Sequence, residues 1–313
     1  MIGPGQVGRQ AIERAVRLVE SNQASLKVVS VAPDMMVYSG MFEDEAMSSS
    51  LSTSIINGYA EELAALVEPY QRRIKIVTQV LEGIPFLEII RAVLRDDHDL
   101  VIKSPDDPDF LDRIFGSDDM HLLRKCPCPV WLIKSQAPKN YRRILAAVDI
   151  DGSYPPMEME SRRRLNRQIL ELASSLAVAD FSELHVVHAW DAIGETAMRG
   201  AFLDMPQEEV DSYVEQVRQQ RGKSLKKLLS ELSGEVLEYL KPKPHLVKGW
   251  ARKEIPALAK EIDADLVVMG TVARTGIPGF IMGNTAETIL NQLDCSVLAI
   301  KPTGFVTPVT IQD

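Results

Sequence analysis

Cysteine is scarce in this chain of 313 residues. Cys126, Cys128 and Cys295 make an odd, sparse set that suits a reducing compartment and not a disulfide framework. Histidine is nearly as scarce, at five, and none clusters with the CPCP run at 126–129. That run therefore reads as small buried residues at a strand entrance, not as a metal site. Positive charge is in deficit: Lys and Arg number 35 against 44 Asp and Glu, a net charge of -9. This argues against a nucleic-acid binder or a basic membrane-surface protein. No apolar run reaches the roughly 18 residues of a membrane-spanning helix, and MIGPGQVGRQ at the N-terminus lacks the apolar region of a signal peptide. The expectations are a cytoplasmic protein with no nucleic-acid partner and no membrane insertion. Catalytic and nucleotide signatures are also missing: there is no GxGxxG, Walker A GK[ST], GxSxG or HExxH, and neither HIGH nor SGGxDS.

What the chain does have is itself, written twice. CPCPVWLIK (126–134) answers to LDCSVLAIK (293–301), HDLVIKS (98–104) to ADLVVMG (264–270), and EGIPFLEIIRAV (82–93) to RKEIPALAKEI (252–262). The offset drifts by a few residues, as loops do, so this is a duplicated domain and not a solenoid. In the second half, ILAAV (144–148) is a short apolar run of the kind covered on both faces of a sheet. Residues 157–177 carry helical apolar spacing, SELHVVHAW (182–190) reads as a strand, and a long helix is expected from about Pro206 to Leu240. A strand in KPHLVKGW, a helix at 255–262, a strand in DLVVM, a helix in TAETILNQL and a strand in SVLAIK complete the unit. Strands separated by helices imply parallel pairing through right-handed crossovers.

The fold class is thus α/β, with two tandem doubly wound parallel-sheet domains at 1–135 and 141–303 and a tail at 304–313. The first half opens on a helix, VGRQAIERAVRLVE, followed by the strand SLKVVSVA. Its first strand is missing or reduced to the residues around Met1. One hypothesis is that MIGPGQ is the end of that strand and Met1 lies within it. A native mass equal to that of these 313 residues would sink the idea.

In a doubly wound sheet, ligands sit beyond the carboxyl ends of the strands where the connections diverge. GTVARTGIPGFIMGNT (270–285) lies at such a place, between the strand DLVVM and the helix TAETILNQL. A helix N-terminus suits phosphate oxygens, Gly270 lets the chain turn sharply, Gly283 leaves room, and Asn284 and Thr285 supply capping groups. Arg274 offers a charge. Taken alone, the pattern equally describes a capped turn.

Val148-Asp149 closing the first strand, the order of five strands and four helices, and a Gly-x2-Ala-x9-Gly-Asn loop at Gly270, Ala273, Gly283 and Asn284 together resemble the universal stress protein family. RTGI, GNTAE, HLLRKCPCPVW and the tandem layout look most like its two-domain E-type members. The resemblance covers both halves. It implies an adenine nucleotide hydrolase-like fold, with Asp149 beside the nucleoside and Val187, His188 and Ala189 lining the base pocket. The loop from Gly270 through Ala273, Arg274, Gly283 and Asn284 to Thr285 would hold phosphates. ATP is the implied ligand, with Mg2+ only alongside it. Ala273 departs from the family's glycine, which puts phosphate approach in question. The resemblance also implies two domains packed as a pseudo-dimer through PVWLIK and SVLAIK. Homodimers or other protein partners are open, and a regulatory, stress-responsive role is implied in place of catalysis.

The first half keeps little of the loop. Aligned on the cysteines, Gly270 falls on Lys103, Ala273 on Asp106 and Gly283 on Gly116; aligned on Asp99 and Asp265, Gly270 falls on Ser104. The replacement, SPDDPDFLDR, brings Asp106, Asp107, Asp109 and Asp112, which repel phosphate, and two prolines that withdraw N–H donors. A degenerate first domain serving structure and assembly is expected. His185 and His188 point to opposite faces of their strand and form no ligand pair. Met-rich segments after the second strand of each half (Met35, Met36, Met41 and Met47; AIGETAMRGAFLDMP) keep open a carrier of an apolar or amphipathic molecule. A ligand-free scaffold is the third reading.

Overall fold

The computed structural model describes residues 7–34, 45–105, 116–152, 154–200, 203, 205–271 and 282–311. Ala273 and Arg274, the acids Asp106, Asp107, Asp109 and Asp112, and Met35, Met36 and Met41 lie outside the described residues. The chain divides into two compact units, Met1–Lys139 with Val306–Asp313, and Asn140–Phe305.

The first unit runs α1 (Val7–Asn22), β1 (Leu26–Ala32), α2 (Glu45–Val67), a 3-10 turn at Glu68–Tyr70, β2 (Ile76–Glu82), α3 (Pro85–Asp96), β3 (Val101–Lys103), α4 (Ser117–Lys125) and β4 (Val130–Leu132). The second runs β5 (Arg143–Ala147), α5 (Pro156–Asp180), β6 (Glu183–Trp190), α6 (Glu195–Arg199), α7 (Gln207–Leu229), α8 (Gly234–Leu240), β7 (Lys243–Lys248), α9 (Ala251–Glu261), β8 (Leu266–Gly270), α10 (Asn284–Leu290) and β9 (Ser296–Ile300).

In the second unit the strands lie in the order β9-β8-β5-β6-β7, every pairing parallel. The apolar run at 144–148 forms the central strand, covered on both faces and paired on both edges. Ile144, Leu145 and Ala146 are fully buried between β6 and β8. From β5 the chain steps outward to β6 and β7, then returns to the other side of β5 for β8 and β9. The reversal leaves a crevice beyond the ends of β5 and β8, where Val148-Asp149 and Gly270-Thr271 emerge.

The first unit has the same order without the central strand. β1 pairs with β2 and β3 with β4, both in parallel, and among the described residues no strand joins β1 to β3. The consequence is visible in burial. Val29, Val101 and Ile102 are half-buried, whereas their counterparts Val187, Val268 and Met269 are buried. Below the β1–β2 pair, Ile12, Val16, Val28, Leu63 and Val67 form a core of their own.

Two sequence expectations need correction. The long helix from Pro206 to Leu240 is two helices, because Ser230 turns its hydroxyl back to the Lys227 carbonyl and Ser233 caps α8 by accepting the Val236 N–H at 3.3 Å. The Ile-Pro pairs are also not equivalent. Pro85 opens α3, while Pro256 lies inside α9. The carbonyl that Pro256 cannot serve, that of Arg252, accepts the Gln292 side-chain amide at 3.3 Å instead. The true equivalence is Gly83 with Gly249. Both adopt positive φ (133° and 137°), and both donate to the carbonyl of the last residue of the adjacent strand, Ala32 of β1 or Trp190 of β6.

Candidate functional site

The site is built where β5 ends. Val148 still donates to the Val187 carbonyl at 3.0 Å, but at Asp149 the chain leaves the ladder. Both backbone groups of Asp149 are then taken over by one side chain, Asn166 on α5. Its Oδ1 accepts the Asp149 N–H at 3.0 Å and its Nδ2 donates to the Asp149 carbonyl at 2.7 Å. Asn166 is buried, so this amide replaces a strand partner at the mouth of the crevice.

The Asp149 carboxylate is held as firmly. Oδ1 accepts the Asp151 N–H at 3.2 Å, and Oδ2 accepts the Tyr154 hydroxyl at 3.0 Å and Arg162 Nη1 at 2.6 Å. The Arg162 guanidinium lies 3.4 Å from the Tyr154 ring centroid and also approaches Glu158 at 3.7 Å. Burial, and then the charge of Asp149, push the Tyr154 hydroxyl up to about 12, so it stays protonated and donates. Arg221 on α7 completes the group by binding Asp151 at 2.6 Å.

His188 sits beneath this network, 3% exposed. Its Nδ1 is 3.2 Å from the Val148 carbonyl, which requires the proton on Nδ1 and leaves Nε2 a bare acceptor. That Nε2 is buried with no hydrogen-bond partner among the described residues. Burial pushes the His188 pKa below its ordinary value, with Val148, Asp149 and Asp151 acting the other way, so the ring is neutral.

Across the crevice, Gly270 has no room for a side chain: a Cβ there would meet Leu165 Cδ2 of α5 at 2.6 Å. The glycine serves helix packing, and its φ lies outside the left-handed region, so the chain's exit from β8 does not itself require it. Thr271 closes the loop's ends. Its N–H donates to the Ile300 carbonyl, its carbonyl accepts the Gly283 N–H at 3.1 Å, and its buried hydroxyl accepts from Lys301. Gly283, not Asn284 or Thr285, is the N-cap of α10. The two polar residues lie in the first turn, exposed, and no side chain caps the helix.

The structure thus brings Asp149 and His188 together through Val148, and Gly270 and Gly283 together through Thr271. Val187 is fully buried in the sheet and Ala189 is half-buried. Asn166, Tyr154, Arg162 and Arg221 escaped the sequence reading. The usable signal was the spacing of Arg162 and Asn166, four apart on the helix that follows the strand end, hence on one face.

His185 has a partner that spacing along one strand does not reveal. Its Nδ1 is 2.8 Å from Nε2 of His245 on β7, the rings stacked 5.0 Å apart, while Nε2 faces Glu183 at 3.3 Å. Glu183 also takes Lys243 and Arg143, and Glu261 faces His245. Burial pushes both imidazoles down from 6.5. Their neutral forms contribute stability that is complete above about pH 6.5 and is lost as pH falls through the depressed folded values. The unfolding midpoint should therefore drop between about pH 7 and pH 5, and His245→Gln should flatten that slope. An unchanged slope would remove the pair from the account.

The three cysteines are buried and none is in a disulfide, with the Cys126 and Cys128 sulfurs 3.6 Å apart. Among the described residues no three His, Cys, Asp or Glu side chains are placed to hold a metal, and no helix is long and apolar enough to cross a membrane.

Comparison with known proteins fits this duplicated architecture. Residues 3–134 and 140–301 each match the universal stress protein family. Universal stress protein E of Escherichia coli strain K12 is 32% identical over 100% of this chain and 96% of its own length, and that of Salmonella typhi 31% over the same shares. Among solved structures, a universal stress protein described as putative from Pseudomonas aeruginosa UCBPP-PA14 aligns with a TM-score of 0.64 at 26% identity, covering 96% of this chain and 90% of that one. One from Archaeoglobus fulgidus DSM 4304, 17% identical, shares the fold at 0.60 over 95% of both chains. Two matches to one domain family, which together span nearly the whole chain, place it in the universal stress protein family.

Proposed function

We propose that the second unit binds a nucleotide, ATP or a close analogue, in the crevice beyond β5, β6 and β8, and that the protein acts as a stress-response sensor and not as a catalyst. One observation carries the reading: a buried, neutral His188 whose Nε2 has no partner lies beside the clamped Asp149 at the topological switch point. A lone acceptor in such a place is satisfied by a ligand's donor, and adenine amines and ribose hydroxyls are donors of that kind. Asp149 offers a second acceptor. Arg162 and Arg221 supply cations for phosphate oxygens, exchanging them for Asp149 and Asp151. Arg274, Gly283 and the first turn of α10 are the proposed phosphate contacts beyond them, and Mg2+ would arrive only with ATP.

Turnover would be slow. Asp149 already accepts three hydrogen bonds, so both its oxygens are engaged and neither is placed to take a proton from water. Titration calorimetry should find ATP bound by the wild type and at least about tenfold more weakly by Asp149→Ala, about 1.4 kcal/mol. Equal affinities, or no heat from the wild type, would reject the reading.

A second reading has its own observation. Ile193, Leu203, Met205 and Trp250, which follow the ends of β6 and β7, are exposed, Trp250 at 61%. An amphipathic ligand would use that rim together with the arginines. Release of an apolar molecule that ATP does not displace would favour it.

A further inference from the structure

Two buried ring nitrogens on one face of β6 lack partners, and they are of opposite kind. His188 and Trp190 stand two residues apart, so their side chains share a face, with Cα atoms roughly 7 Å apart. That face is the one α7 covers. His188 pairs with Leu246 and Trp190 with Lys248 on β7, and a Cβ added at Gly222 of α7 would lie 3.8 Å from Leu246 Cδ2. Trp190 is the last residue of β6, at the carboxyl end where the crevice opens, and it is 5% exposed.

The indole N–H can only donate, and among the described residues nothing accepts it. His188 Nε2 can only accept, because the ring's proton on Nδ1 is directed at the Val148 carbonyl, and among the described residues nothing donates to it. The two do not satisfy each other. One buried group without a partner is costly. A donor and an acceptor left open side by side, at the ligand end of a strand, point to a single partner that carries both complements.

We infer that Trp190 is a specificity-determining residue of the crevice: its indole N–H binds an acceptor on the ligand while His188 Nε2 binds a donor beside it. The pair therefore selects a heterocycle edge that carries both groups. This rests on the nucleotide reading above and narrows it to the base. Adenine offers such edges, with its amine lying between the ring acceptors N1 and N7. Inorganic phosphate supplies acceptors alone and leaves His188 unserved, and an apolar chain serves neither nitrogen. Discrimination follows from what is left unpaired, since a ligand without the matching atom still buries the protein's polar group.

Analogue binding tests this, by titration calorimetry on the wild type, Trp190→Phe and His188→Leu. ATP should bind each variant at least about tenfold more weakly than the wild type. Either 1-deaza-ATP or 7-deaza-ATP, each short of one ring acceptor, should bind the wild type about tenfold more weakly than ATP, with no further loss in Trp190→Phe. Purine riboside triphosphate, which lacks the amine, should behave in the same way toward His188→Leu. A packing role alone would weaken every analogue equally in Trp190→Phe. If a variant does not fold, the wild-type series decides, and equal affinity for ATP and all three analogues overturns the inference. ATP bound equally by the wild type and Trp190→Phe, or a loss in that variant shared by every analogue, overturns it while the nucleotide reading stands. No binding of ATP to the wild type overturns both.

Discussion

Lys103→Met is expected to destabilise the first unit by about 3–5 kcal/mol, because it strands a carboxylate in the interior. Asp119 is fully buried and its Oδ1 is bound by the Lys103 ammonium at 2.8 Å. A methionine fills the same volume but supplies no charge, so the loss is electrostatic and not a cavity effect. The cost of breaking such a pair exceeds the net worth of having it, since the carboxylate keeps its desolvation penalty after losing its ammonium partner. Lys103→Met/Asp119→Leu should therefore lie within about 1–2 kcal/mol of the wild type, in either direction. Urea unfolding of the three variants checks both numbers. A single variant as stable as the double would show that the pair is not where the charge is balanced.

Asn166→Leu should cost about 2–4 kcal/mol, and should weaken ligand binding as well. Asn and Leu branch alike at Cγ, but Leu is bulkier and Asn166 is only 5% exposed, so the change removes the hydrogen bonds and crowds the site. It leaves the Asp149 N–H and carbonyl without the two bonds of 3.0 and 2.7 Å that hold the chain as it quits β5. Asp149 would then shift relative to His188, and a site built to within half an ångström loses affinity when its frame moves. Asn166→Asp keeps the acceptor for the N–H and loses the donor, so it should fall between. Stability loss with ATP affinity intact would separate the clamp from the site.

These residues mark the boundary of what the sequence discloses. The central strand was legible because 144–148 is apolar throughout, and no other environment tolerates that. The duplicated loop was legible because a strand end, an interval and a cap glycine recur in fixed order. What stayed hidden depends on side chains that meet across elements. Nothing local to Asn166 says that its amide faces Asp149. The partner of His185 lies a strand away, and spacing within β6 could exclude His188 but not find His245. The Ile-Pro match misled because a proline is tolerated both at the start of a helix and, when another donor serves the orphaned carbonyl, inside one. In the first half, sequence alignment left Gly270 against Lys103 or Ser104. The contact of Lys103 with Asp119 across 16 residues gives that lysine a role that alignment could not show.

The measurement that bears most directly on the account is mass spectrometry of what the natively purified protein releases on denaturation, quantified per chain. The account predicts adenine nucleotide at close to one per chain, falling away in Asp149→Ala and unchanged in Lys103→Met/Asp119→Leu. Two nucleotides per chain would contradict a single site confined to the second unit. No nucleotide, together with no binding of added ATP, would contradict the site itself.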